Sequence, residues 1–124
     1  MCEIENRNVI EYLIQNSPLK TYSYKIIHKE SPDHRGIDVA LLYNSKRIYP
    51  LEYQFLKLIK DGSVVETREI LYFSGIVEQQ DTLHFFINHW PSRYGGLLET
   101  RQDRTFAARL LRDKVDSLFQ QNKN

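Results

Sequence analysis

Three short polar clusters hold the residues with the widest chemical range. Cys2-Glu3-Ile4-Glu5-Asn6 sets two carboxylates beside a thiol, and Arg35-Gly36-Ile37-Asp38 pairs a cation with an acid. Asn88-His89-Trp90-Pro91-Ser92-Arg93 places an imidazole between an amide and a guanidinium, and Arg68 in Thr67-Arg68-Glu69 is a fourth candidate. Glu3 offers a hard oxygen ligand for a divalent cation. His89 is the group able to exchange a proton near neutral pH. Arg68, Asn88 and Arg93 offer donors to an anionic oxygen. Each residue also has a structural reading. Carboxylates in a first helical turn complement the helix dipole, an aspartate opening a strand accepts backbone N–H groups, and arginines populate surfaces. His28, His34 and His84 show no ligand spacing and read as structural. A zinc-type site is not indicated, because Cys2 has no CxxC partner and the histidines are not closely paired.

The elements that must position these groups follow from periodicity. Val9, Ile10, Leu13 and Ile14 share one face of a helix expected over Glu5 to Gln15, which Asn16-Ser17-Pro18 ends. Strands are expected over Tyr22 to His28, Ile37 to Tyr43, Ile48 to Ile59, Thr67 to Val77 and Thr82 to Trp90. Asn44-Ser45-Lys46, Asp61-Gly62-Ser63 and Gly95-Gly96 are breaks, and a last helix runs from about Gln102 to Gln120. The candidate groups fall at strand ends, where a rigid element fixes a side chain and a loop admits substrate. Ile37 to Tyr43 and Leu83 to His89 carry apolar residues on both faces, so both faces require cover. Two helices and five strands do not obviously supply a second layer, so the chain reads as incomplete or self-associating.

Bulk composition narrows the function. At 124 residues with 41% hydrophobic and 27% charged residues, the chain is one soluble globular domain rather than a disordered segment. Seventeen Lys and Arg against sixteen Asp and Glu leave a net charge of +1, so any phosphate recognition must be local. The single cysteine excludes an internal disulfide framework. No apolar run reaches ~18 residues and no leader precedes the first helix, so the expected location is soluble, cytoplasmic or otherwise unassigned.

In this order, Cys2-Glu3-Ile4-Glu5-Asn6, Arg35-Gly36-Ile37-Asp38-Val39-Ala40-Leu41-Leu42-Tyr43, Thr67-Arg68-Glu69-Ile70-Leu71 and Asn88-His89-Trp90-Pro91-Ser92-Arg93-Tyr94-Gly95-Gly96 resemble bacterial members of the endonuclease/exonuclease/phosphatase family, similar in fold to pancreatic deoxyribonuclease. The long last helix fits as well. The resemblance covers nearly the whole chain, and the Asn-His-Trp-Pro-Ser-Arg stretch is its most specific part. It implies an α+β fold: a mostly antiparallel mixed sheet with two helices on one face, half of a four-layer α/β/β/α sandwich. It implies Mg2+ or Mn2+ on Glu3, His89 as the proton-exchanging histidine, Asp38 as the acid orienting it, and Arg68 on substrate phosphate, with Asn88 and Arg93 as rim contacts. The implied partner is a phosphodiester substrate, possibly nucleic acid. The family's Gly-Asp-Phe-Asn and Ser-Asp-His segments occur nowhere in residues 1–124. The expectation is therefore a single partial domain, inactive alone.

Two other nucleases and one non-enzyme compete. Pro32-Asp33 with Glu52-Tyr53-Gln54 loosely matches the acidic core of restriction-type nucleases, although Asp33 lies in a turn. An Asn-His nuclease using Asn88-His89 lacks its second histidine. The non-catalytic alternative is a truncated domain that forms a homo-oligomer through an uncovered sheet face.

Overall fold

The computed structural model describes residues 1–60, 62–78, 81–93 and 96–121. Asp61 of one expected break, and Tyr94 and Gly95 of the glycine loop, lie outside them. Two compact units emerge, one of residues 1–57 and 66–89, the other of residues 58–65 and 90 onward.

The first unit opens with a short strand, Cys2–Ile4 (β1), followed by helix Arg7–Gln15 (α1). The helix begins two residues later than its periodicity suggests, because Asn6 is extended and its side chain accepts the Val9 N–H at 3.1 Å. That bond satisfies one of the otherwise orphaned donors of the first turn. Strands Tyr24–His28 (β2), Asp38–Asn44 (β3) and Ile48–Leu56 (β4) come next. The expected strand to Ile59 thus breaks at Lys57-Leu58, and Ile59–Lys60 (β5) pairs with Ser63–Val64 (β6) in the second unit. Ile70–Val77 (β7) and Asp81–Ile87 (β8) complete the first unit. β7 starts at Ile70 rather than Thr67, since Arg68 and Glu69 commit their side chains to buried ion pairs ahead of it.

The fold is α+β, and every strand pair among the described residues is antiparallel. Two three-stranded sheets carry the first unit, ordered β1-β3-β2 and β4-β7-β8. Alternation along β3 divides its side chains between two cores. Val39 joins Ile27, Leu71 and Phe73 in one buried cluster, against which Leu41, Tyr43, Ile48, Phe55 and Phe85 pack. Ala40 joins Ile4 and Ile10 in the other, with Ile26, Leu42 and Ile14 around it. One face of β3 is therefore covered by α1. Its other face meets the second sheet, which is the layer that strand counting left unassigned. Side chains as large as Leu71 and Phe73, fully buried, each contribute roughly 1.5–3 kcal/mol.

The second unit holds β5, β6 and the helix Arg101–Gln121 (α2), close to its expected span. Lys60 reaches Asp103 at 3.6 Å, and Arg104 donates to the Leu97 carbonyl at 3.0 Å and bonds the Thr100 hydroxyl. Of the two helices expected on one face, α1 has the neighbours just given, while α2 belongs to this separate unit. Among the described residues no helix is long and apolar enough to cross a membrane.

Candidate active site

Glu3 sits at an irregularity. Cys2 pairs with Val39 while Ile4 pairs with Asp38, so the register slips at Glu3, whose φ is +58°. A left-handed conformation in a residue other than glycine is unfavourable and survives only where the surroundings enforce it. Here β1 is pinned on both sides: the Met1 amino group donates to the Ala40 carbonyl at 2.7 Å, and the Ala40 N–H donates back to the Met1 carbonyl at 3.0 Å. The bulge turns the Glu3 side chain out, 71% exposed, with its carboxylate 3.4 Å from His89 Nε2. Bulges commonly re-aim one side chain in this way beside functional sites.

His89 and Asn88 lie just past β8. The Cys2 thiol donates to the Asn88 carbonyl at 3.2 Å, tying the two segments together. Asn88 Oδ1 and His89 Nδ1 are both buried without a hydrogen-bond partner among the described residues. Buried polar atoms are rarely left so, and each such atom calls for an explanation. Burial first, then the Arg68 guanidinium and more weakly Arg35, push the His89 imidazole below its ordinary pKa, against opposing pulls from Glu3 and Asp33. The direction is opposite to that expected from an orienting aspartate. A neutral imidazole at neutral pH is an acceptor ready to take a proton.

Arg68 is buried, at 4% exposure, instead of lying open on a rim. Its Nη1 donates to Asp33 Oδ2 at 2.5 Å, while Nε and Nη2 donate to the His89 carbonyl at 3.3 and 3.2 Å. The pairing explains the reach: Leu71 faces Ile87, so one step beyond the ladder residues 68–69 come alongside His89. Asp33 is braced in turn by Arg35, which donates from its backbone N–H at 3.0 Å and from its guanidinium at 3.1 and 3.3 Å. Burial would raise the Asp33 pKa, but the Arg35 bonds and then Arg68 outweigh it and hold the carboxyl far below the usual carboxylate range.

Asp38 has a different partner from the one expected. His28 pairs with Ala40 across the β2–β3 ladder, which makes Asp38 its diagonal neighbour on the same face. Their side chains, 3% and 1% exposed, meet at 2.9 Å between His28 Nε2 and Asp38 Oδ2. The other oxygen, Oδ1, accepts the Ser31 N–H at 2.8 Å. The structure thus brings Glu3, His89, Asn88 and Arg68 together, sets Asp38 into the adjoining strand pair with His28, and assigns Arg93 to the second unit. Sequence reasoning gave Asp33 only a rival role and left His28 as structural. Asp33-His34-Arg35-Gly36 does carry a signal, because Asp33 accepts from the backbone N–H two residues on and Gly36 takes φ +62° to close the turn.

A family model for the endonuclease/exonuclease/phosphatase family matches residues 1–124. The chain belongs to the endonuclease/exonuclease/phosphatase family. Searches of curated proteins and of solved structures found no match. Membership indicates phosphoesterase chemistry of the nuclease or phosphatase type, in a family that typically uses divalent metals. Two donor sets bear on the metal. Glu3 offers an exposed carboxylate of the kind a hard cation takes while keeping several waters. His28, Glu30 and Asp38 hold donor atoms within 4.8 Å of one another, but His28 and Asp38 already satisfy each other and Asp38 has no oxygen left over.

Proposed function

We propose that this chain supplies the Glu3–His89 part of a phosphodiester-hydrolysing site dependent on Mg2+ or Mn2+, acting on nucleic acid or a smaller phosphodiester. The observation that carries the reading is the strained bulge that holds Glu3 against His89, beside two unpartnered buried polar atoms. In-line attack of water on a phosphodiester builds charge on the nonbridging and leaving oxygens. A divalent cation on Glu3, when bound, would supply the Lewis acid that neutralises nonbridging charge. His89 exchanges a proton with the ester or its leaving oxygen, a step typically contributing ~100- to 10,000-fold. Asn88 is read as a phosphate contact through the second N–H of its amide, the first donating to the Phe86 carbonyl at 3.1 Å. Arg68 was expected on the phosphate, but its bonds support a different role: it steadies the main chain at His89 against Asp33. Asp38 acts at one remove, fixing through Ser31 the loop that carries Asp33 and Arg35.

Residues 1–124 are read as a partial domain, because the Gly-Asp-Phe-Asn and Ser-Asp-His segments are absent from them. Turnover of bis-nitrophenyl phosphate by the 124-residue protein with Mg2+ or Mn2+ is therefore expected to be negligible. Turnover abolished by His89→Ala would overturn the inactivity while supporting the role of His89. Binding is tested separately by Mn2+ titration followed by NMR. Paramagnetic broadening centred on Cys2, Glu3, Asn88 and His89 is expected, and broadening centred on His28, Glu30 and Asp38 would refute the site. A second reading, self-association, draws on β4, an edge strand exposing Tyr49, Leu51 and Tyr53. Sedimentation as a monomer at ~100 μM would remove it.

A further inference from the structure

The net charge of +1 conceals an uneven distribution. The second unit, from 58–65 and 90–124, holds eight Lys and Arg against five Asp and Glu, whereas the first holds nine against eleven. The excess of cations is thus concentrated in the smaller unit. Within it, a hollow of about 480 Å³ is lined by Lys60, Arg101, Gln102, Thr105, Phe106 and Arg109. Arg101, Thr105 and Arg109 recur every fourth residue, so they form one line along α2, roughly 12 Å from end to end at 1.5 Å per residue. Arg101 and Arg109 are exposed, and neither side chain has a hydrogen bond or ion pair among the described residues. Asp103 faces Lys60 at 3.6 Å, with both side chains more than two-fifths exposed. Such an exposed pair is weak and screened by salt, and leaves Lys60 available.

Two exposed guanidinium groups with Lys60 beside them present donors that a polyanion can engage together. A line of roughly 12 Å is long enough to meet more than one phosphate of a strand. Phe106 adds an aromatic ring, half-buried in the wall, and the combination of a cationic groove with an aromatic ring is the one that holds unpaired strands, whose bases have free faces for stacking. Gln102 adds an amide donor. A small phosphodiester would use one cation and leave the others idle.

We infer that the Lys60, Arg101, Phe106 and Arg109 face of α2 binds single-stranded nucleic acid through its phosphate backbone. The inference rests on the phosphodiester reading for the fate of the strand, but binding itself needs neither Glu3 nor His89 nor metal, so the two fail separately.

The test is fluorescence anisotropy of a labelled 12-nucleotide oligothymidylate with the 124-residue protein in EDTA, across 50–300 mM salt. Wild-type protein is expected to bind with a salt-dependent affinity. Arg101→Gln with Arg109→Gln is expected to weaken binding at least tenfold at 50 mM salt. Losing two phosphate contacts from a single strand lowers the slope of log affinity against log salt by ~1.4. Arg101→Lys with Arg109→Lys retains most of the affinity. Phe106→Leu weakens binding about tenfold with the slope unchanged, its fold checked by circular dichroism. Lys20→Gln with Lys46→Gln, the same charge change in the first unit, shifts affinity less than twofold. Absence of binding, equal losses in the Lys20/Lys46 control, or tighter binding of the matching duplex would each overturn the inference.

Discussion

Replacing Arg68 by methionine isolates the clamp behind His89, because methionine keeps the apolar stem and removes every donor. The ion pair it breaks is buried on both sides, with Arg68 and Asp33 side chains 2% and 4% exposed. Removing one partner of such a pair typically costs 3–5 kcal/mol, since the other charge stays buried. Asp33 keeps its bonds from Arg35, whose side chain is 45% exposed, and this places the expected loss near the lower end, about 3 kcal/mol. Against an m-value of about 1.5 kcal/mol per molar urea for a small domain, the unfolding midpoint should fall by about 2 M. The loss should also depend on pH. In the wild type the Asp33 carboxyl titrates far below its unfolded value of about 3.9, so its contribution is complete above that value and fades as pH falls beneath it. In the variant, burial without Arg68 raises the folded-state pKa, and protonation relieves the unpaired charge. The Arg35 bonds, the larger of the lowering influences, remain in the variant, so the difference between the two proteins holds across the neutral and mildly acidic range and narrows only as pH falls through the variant's raised Asp33 value. Urea melts monitored by far-ultraviolet circular dichroism at pH 7, 5 and 4 measure both quantities. A midpoint shift under 0.5 M at pH 7 would refute the clamp.

Glu3→Gln should lower the pKa of His89 further, since the carboxylate 3.4 Å away favours the imidazolium; an NMR titration showing a rise or no change would argue that Glu3 does not face the ring. Asp38→Ala leaves the buried His28 Nε2 and the Ser31 N–H unpartnered, and should cost roughly 2–4 kcal/mol of stability. The same substitution should leave the His89 resonances nearly unmoved; a large shift would restore Asp38 as the orienting acid.

Much of this arrangement was legible in the residues. Strand alternation along 38–43 declared two covered faces, and both proved to be covered. The polar clusters at strand ends led to the expectation that Glu3, Asp38, Arg68 and His89 gather at one rim; antiparallel pairing sets Glu3 and Arg68 against His89, while Asp38 meets His28 instead. What spacing could not convey was which acid meets which base. Asp38 and His28 are diagonal neighbours only in the register that Ala40 and His28 define. Asp33 and Arg68 are 35 positions apart and meet through a turn closed by Gly36 and a strand start that sequence periodicity placed three residues early. Residue type identified the participants, while partners depended on register and turn geometry.

The ties between the two sheets of the first unit explain why a strained residue can persist there. Four polar links join elements of the β1-β3-β2 sheet and the loop after β2 to the ends of β7 and β8: Cys2 to Asn88, Glu3 to His89, Lys29 to Glu69, and Asp33 to Arg68. The shared apolar core draws the sheets together without fixing their ends, since hydrophobic attraction has no direction. Hydrogen bonds and ion pairs do have direction, and two of these links are strongly buried on at least one side. They over-determine the position of β1 relative to β8, so the left-handed Glu3 cannot relax without breaking a neighbouring bond. A fold built only for stability would have little reason to place glutamate rather than glycine at such a bulge. The carboxylate it aims at His89 is the reason the structure supplies.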